Sequence, residues 1–199
     1  LLKMGDVKLA VLGGRGTGKS ALTVRFLTKR FIGEYASNFV KQRNSVVRSL
    51  HFMYLVPLQS QKAKGSLTSD LHWADGFVIV YDISNRPSFA FAKALIYRIR
   101  EPPMTHCKRV MEPAVVLVGN KQDLCHMREV GWDEGQKLAT DYRCQFCELS
   151  AAEQSLEIEV MFLRLIKDIL MIFKHKEKRR PSGTHIKVKE NKRLCKISL

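Results

Sequence analysis

From Tyr35 to Ser69 the chain contains no aspartate or glutamate, and its only glycine there is Gly65. That stretch offers no carboxylate to a cation and almost no glycine for a close backbone approach. No apolar run is long enough to cross a membrane as a helix. The residues before the first apolar strand are too few for a secretory leader. Met4-Gly5 resembles a myristoylation start, but Leu9 stands where serine or threonine is needed. Cysteine is scarce and odd in number, at 5 residues, which argues against a disulfide framework and for reduced thiols in the cytoplasm or nucleus. Cys144 and Cys147 form a C-x-x-C pair with no second pair and no His-x₃-His, so small buried thiols are expected rather than a zinc site. The 6 histidines are scattered and suggest no metal cluster.

Acidic residues are also few, 19 against 34 lysines and arginines, for a net charge of +15. Much of the excess lies from Lys174 onward, through Lys178, Arg179, Arg180, Lys187, Lys189, Lys192, Arg193 and Lys196. Such a segment suits an anionic membrane or nucleic acid, or else a solvated, disordered end. No aromatics interleave the basic residues, so base stacking is not expected there. Cys195 stands one position too far from the end for a C-a-a-X prenylation box. We therefore expect one globular domain over residues 6–173, with residues 174–199 as a disordered basic tail.

The most informative positive feature is Gly13-Gly14-Arg15-Gly16-Thr17-Gly18-Lys19-Ser20. It follows the apolar run Val7 to Leu12, which reads as a strand, and precedes Ala21 to Leu27, which reads as a helix. Strand, G-x-x-x-x-G-K-[ST] and helix together specify a phosphate-binding loop. Its glycines let backbone N–H groups converge on an anion at a helix N-terminus. Lys19 can reach the β- and γ-phosphates, and the Ser20 hydroxyl can ligate Mg²⁺. Ala21 supplies a further amide at the helix start.

Farther on, Phe77 to Asp82 and Ala114 to Gly119 are continuous apolar runs, as in strands of a parallel sheet covered on both faces. Helices are expected from Ser88 to Arg100, from Asp133 (as N-cap) to Tyr142, and from Leu156 to Phe173. The last would pack through Leu156, Val160, Leu163, Ile166, Ile169 and Leu170. A short strand is expected from Cys144 to Leu149. The alternation predicts an α/β fold of the P-loop NTPase type, a doubly wound, mostly parallel sheet with helices on both faces.

Asn120-Lys121-Gln122-Asp123 directly follows the strand ending at Gly119, at the carboxyl edge of the sheet where ligands of such folds bind. The Asp123 carboxylate can accept from guanine N1–H and from its exocyclic amine, a donor pair that adenine lacks. Ser150, Ala151 and Ala152 follow the next strand and could offer N–H groups to guanine O6, while Phe31 could stack on the base.

These motifs resemble those of the Ras family of small GTPases, whose N-K-x-D element matches Asn120 to Asp123 and whose S-A element matches Ser150-Ala151. Ser20 to Tyr35 and Leu71 to Ser84 look like one branch of that family, similar also in lacking a prenylation box. The resemblance implies GTP and GDP as ligands, Mg²⁺ as cofactor, effector and regulator proteins as partners, a monomer, and signalling by GTP hydrolysis. It breaks over residues 40–64, an atypical switch region. Where the family has a Mg²⁺-ligating threonine, this chain has Asn38. Where the family has D-x-x-G-Q, Leu55 replaces the acid and Leu58 the glycine, so Gln59 keeps only its spacing. Arg15 replaces a glycine near the γ-phosphate; it either crowds the catalytic centre or lends its own charge. Gln59 and Arg15 are the candidate catalytic residues, and hydrolysis is expected to be slow. Two other readings follow from the same residues: a catalytically dead relative serving as an interaction module, or a domain tethered by its basic tail.

Overall fold

The computed structural model describes residues 7–29, 43–44, 51–52, 74–100, 112–153 and 156–178. Four strands form one all-parallel sheet in the order β1-β4-β5-β6: β1 (Leu9–Gly13), β4 (Gly76–Asp82), β5 (Ala114–Asn120) and β6 (Gln145–Glu148). Two residue pairs, β2 (Arg43–Asn44) and β3 (His51–Phe52), pair antiparallel in a separate sheet. Every residue of β1 and β4 is buried, which is why these strands read as unbroken apolar runs rather than as alternating ones.

Alternate side chains along each strand serve opposite layers. Leu9, Val11, Val78, Val80, Val116 and Val118 pack under α1 (Lys19–Thr28) and the long C-terminal helix α4 (Leu156–Lys178). Ala10, Leu12, Phe77, Ile79, Tyr81, Val115 and Leu117 pack under α2 (Arg86–Arg100) and α3 (Trp132–Asp141). A 3-10 stretch, Gln122–Met127, leads from β5 toward α3. Each parallel crossover returns the chain to the same edge, so the loops after β1, β5 and β6 gather at the carboxyl end of the sheet. This is a doubly wound P-loop fold with helices on both faces, as the alternation predicts.

Two local expectations are corrected. The N-cap of α3 is Gly131 rather than Asp133, and the Glu134 carboxylate accepts from the Gly131 N–H at 3.0 Å. The buried face of α4 is Ile158, Met161, Phe162, Leu165, Ile166 and Ile169, while Leu156, Val160 and Leu163 are 71%, 46% and 43% exposed. The helix carries apolar residues around most of its circumference, so periodicity alone does not pick the right face. Contact with the valines of the sheet chooses the face. Phe162 also stacks on Phe26 of α1, at 4.3 Å between ring centroids. The helix continues through Lys178, so the first basic residues beyond Phe173 are helical.

Candidate functional site

Gly13 ends β1 at φ +150°, and a Cβ there would lie 2.1 Å from the Val80 carbonyl oxygen. Only glycine lets the chain turn so close against β4. The loop that follows is tied from inside. Buried Thr17 donates through Oγ1 to the Gly14 carbonyl at 2.9 Å. The Lys19 ammonium also donates to the Gly14 carbonyl. Gly18 is left-handed (φ +88°), and a Cβ on it would strike Asn120 Nδ2 at 2.1 Å. On the outer side the loop is open, with no atom within 4 Å of where a Gly16 Cβ would stand, and Arg15 is exposed. The Lys19, Ser20 and Ala21 amides open α1, where an α-helix provides no acceptor of its own. The result is a concave, electropositive cradle at a helix N-terminus, suited to a polyphosphate.

Burial lowers the Lys19 pKa to about 8, because the ammonium has been taken out of water. An anion at the loop would restore the usual preference for the charged form. The sign follows: anion affinity is level below pH 8 and falls as the pH rises above it, by up to about tenfold per pH unit while the free lysine is neutral and the bound one charged. Titrating GDP at pH 7 and pH 9 should therefore give a dissociation constant several-fold larger at pH 9.

Asn120 joins the three loops. Its Nδ2 donates to the Thr17 carbonyl at 2.8 Å, and its Oδ1 accepts from the Ala151 N–H at 3.1 Å. Asp123 is exposed, and one of its carboxylate oxygens accepts from Ser150 Oγ at 2.5 Å, which fixes the carboxylate. The sequence suggested that the Ala151 and Ala152 amides face a base oxygen. Both already have partners, Asn120 Oδ1 and Ser150 Oγ (3.2 Å) respectively, so an incoming oxygen would share them. Lys121 adopts a left-handed φ of 67° and pairs with buried Asp82 at 2.6 Å. Burial works against the charged form of Asp82, but bonds from Lys121 and Ser84 outweigh it and hold the carboxyl below its usual range.

The structure thus brings together Gly13 to Ala21, Asn120, Lys121, Asp123 and Ser150 to Ala152. Phe31, Asn38 and Gln59 lie outside the described residues. Asp82 escaped the sequence reading, although a lone acid ending an apolar strand at the carboxyl edge is a usable signal. Among the described residues no group of three or more His, Cys, Asp or Glu could hold a metal ion.

A parallel sheet with this loop between its first strand and first helix defines a P-loop NTPase fold. The Ras family model matches residues 8–171. The chain is 72% identical to the Ras-related and estrogen-regulated growth inhibitor-like protein of Bos taurus over 186 residues, 91% of each chain. It is 73% identical to the protein of that name from Homo sapiens over 169 residues, 82% of each chain. Identity to the Ras-related and estrogen-regulated growth inhibitor of Bos taurus is 38% across the whole of both chains. The chain belongs to the Ras family and is a Ras-like GTP-binding signalling protein.

Proposed function

We propose that this chain binds GDP and GTP through Gly13 to Ala21 and through Asn120, Lys121, Asp123 and Ser150 to Ala152, and that it hydrolyses GTP slowly. The observation that carries the reading is the Asn120 side chain, which ties the phosphate loop to the Ser150-Ala151 loop beside Asp123. One residue thereby sets the spacing between the phosphate end and the base end of a ligand. Lys19 would meet the β- and γ-phosphates, and its carbonyl bond to Gly14 positions the ammonium over the loop. Asp123 would accept from the guanine N1–H and amine.

The donor set suits Mg²⁺ brought in with the nucleotide. Ser20 offers one hydroxyl at the start of α1, and the remaining positions would be filled by phosphate oxygens and water, as this ion prefers. Bound there, the ion would neutralise charge on the β- and γ-phosphates. What this chain's own residues do is fix the phosphate chain and the base. Slow turnover rests on the sequence from Tyr35 to Ser69, which has no acid and no D-x-x-G-Q.

Single-turnover hydrolysis of bound GTP with Mg²⁺ tests this. The expected rate constant is below about 3 × 10⁻⁴ s⁻¹, the lower end of unassisted hydrolysis by a Ras protein that has the glutamine. A rate at or above that value would show that another group orients the water. The basic residues beyond Phe173 favour an additional, salt-sensitive attachment to anionic membrane or nucleic acid. No described helix is long and apolar enough to cross a membrane.

A further inference from the structure

The two loops proposed to read the base leave the sheet from different strands, β5 and β6. Their relative position decides whether the Asp123 carboxylate and the Ser150 to Ala152 backbone meet the same base. Three contacts join them at the front: Ser150 Oγ donating to Asp123, Ala151 N–H donating to Asn120, and the Gln122 N–H donating to the Leu149 carbonyl at 3.2 Å. A further ion pair joins the same two segments, and neither of its side chains has a hydrogen bond to the proposed ligand-binding residues among the described residues. Arg128, just past the 3-10 stretch that starts at Gln122, donates from Nη1 to Glu148 Oε1 at 2.8 Å and from Nη2 to Oε2 at 2.7 Å. Nη1 also donates to the Val130 carbonyl at 2.9 Å. The Glu148 side chain is 3% exposed, and Ser150 follows two residues later.

The surroundings leave the Glu148 end of this pair little room to move, while the Arg128 side chain is 27% exposed. A Cβ on Gly119, next to Asn120, would lie 2.9 Å from Glu148 Cγ and 2.8 Å from the Tyr81 hydroxyl. Tyr81 is fully buried, and burial together with the Glu148 charge pushes its phenol well above its ordinary pKa, so it remains a neutral wedge. A buried ion pair is a weak source of net stability compared with an apolar pair of similar volume. What the two-pronged bond contributes is direction, because two parallel N–H···O bonds fix both the separation and the plane of the groups.

We propose that the Arg128–Glu148 pair is a positioning clamp that sets the distance between the Asp123 loop and the Ser150–Ala152 loop and thereby the selectivity for guanine. The inference rests on the guanine-binding reading above. Arg128 and Glu148 act through Asp123 and Ser150 and do not touch the ligand.

The test compares the full chain with Arg128→Met and with the double change Arg128→Met and Glu148→Met, which replaces the ion pair by two apolar side chains. Two quantities are read in protein shown to be folded by circular dichroism. One is the GDP dissociation rate. The other is the ratio of affinities for GDP and inosine diphosphate, which lacks the exocyclic amine and so reports on one bond to Asp123. The clamp predicts GDP release at least about tenfold faster in Arg128→Met, where a buried carboxylate is left without its partner. In the double variant it predicts a near-normal melting temperature with the GDP-to-inosine-diphosphate ratio reduced about threefold or more. A folded double variant with unchanged ratio and release rate would overturn the clamp. Should the apolar variants fail to fold, Glu148→Gln keeps the shape while weakening the bond and must lower the same ratio. Absence of guanine nucleotide binding in the unmodified chain would instead overturn the reading on which the clamp rests.

Discussion

Lys19→Ala should reduce GDP affinity by about a hundredfold or more while leaving the protein folded. The ammonium supplies the charge of the phosphate cradle. A charge-assisted bond to phosphate in a partly dehydrated loop, together with the long-range attraction, is worth about 3 kcal/mol. Among the described residues the Lys19 ammonium has the Gly14 carbonyl as its hydrogen-bond partner, and burial disfavours its charged form. Removing it should not weaken the fold. A thermal melt at or above that of the unmodified chain, combined with lost nucleotide binding by titration, is the expected pair of results. Binding within threefold of the unmodified chain would mean that the phosphates lie elsewhere.

Asp123→Asn should shift base preference rather than abolish binding. The amide retains an oxygen for Ser150 Oγ but presents an N–H₂ group toward the base, where guanine also presents donors. Two donors facing each other leave both without acceptors, and a site built around such bonds rejects the mismatched base strongly. We expect GDP affinity to fall by about a hundredfold or more, with partial recovery for xanthosine diphosphate, whose C2 carbonyl can accept from the amide. Competition titrations of the two diphosphates on the folded variant check this. An unchanged preference for GDP would remove Asp123 from base recognition.

The parts legible in the sequence are those where the chain's local chemistry leaves one solution. Gly13 and Gly18 must be glycine, because the Val80 carbonyl and the Asn120 amide occupy the space a Cβ would take. The strands β1, β4 and β5 announce themselves as apolar runs because both faces are covered. Less legible were features set by long-range packing. The phase of α4 does not follow from periodicity, since Leu156, Val160 and Leu163 are as apolar as Ile158, Phe162 and Leu165, and contact with the sheet distinguishes them. The N-cap of α3 fell to Gly131, since Glu134 reaches back to its N–H and Trp132 already begins the helix. The pairs Lys121–Asp82 and Arg128–Glu148 join residues 39 and 20 apart in the chain, distances over which spacing carries no signal. Phe31, Asn38 and Gln59 lie outside the described residues, so the assignment of the switch rests on sequence alone.

The central claim is that the cradle at Gly13 to Ala21 and the Asp123 loop together hold one guanine nucleotide. Titration of the purified full chain with fluorescent GDP, GTP and ATP, each with and without Mg²⁺, addresses it most directly. The account predicts tight binding of GDP and GTP, tightened by Mg²⁺, and ATP weaker by about a hundredfold or more because adenine offers Asp123 no donor pair. Equal affinity for ATP and GTP, or no binding by the folded chain, would contradict it.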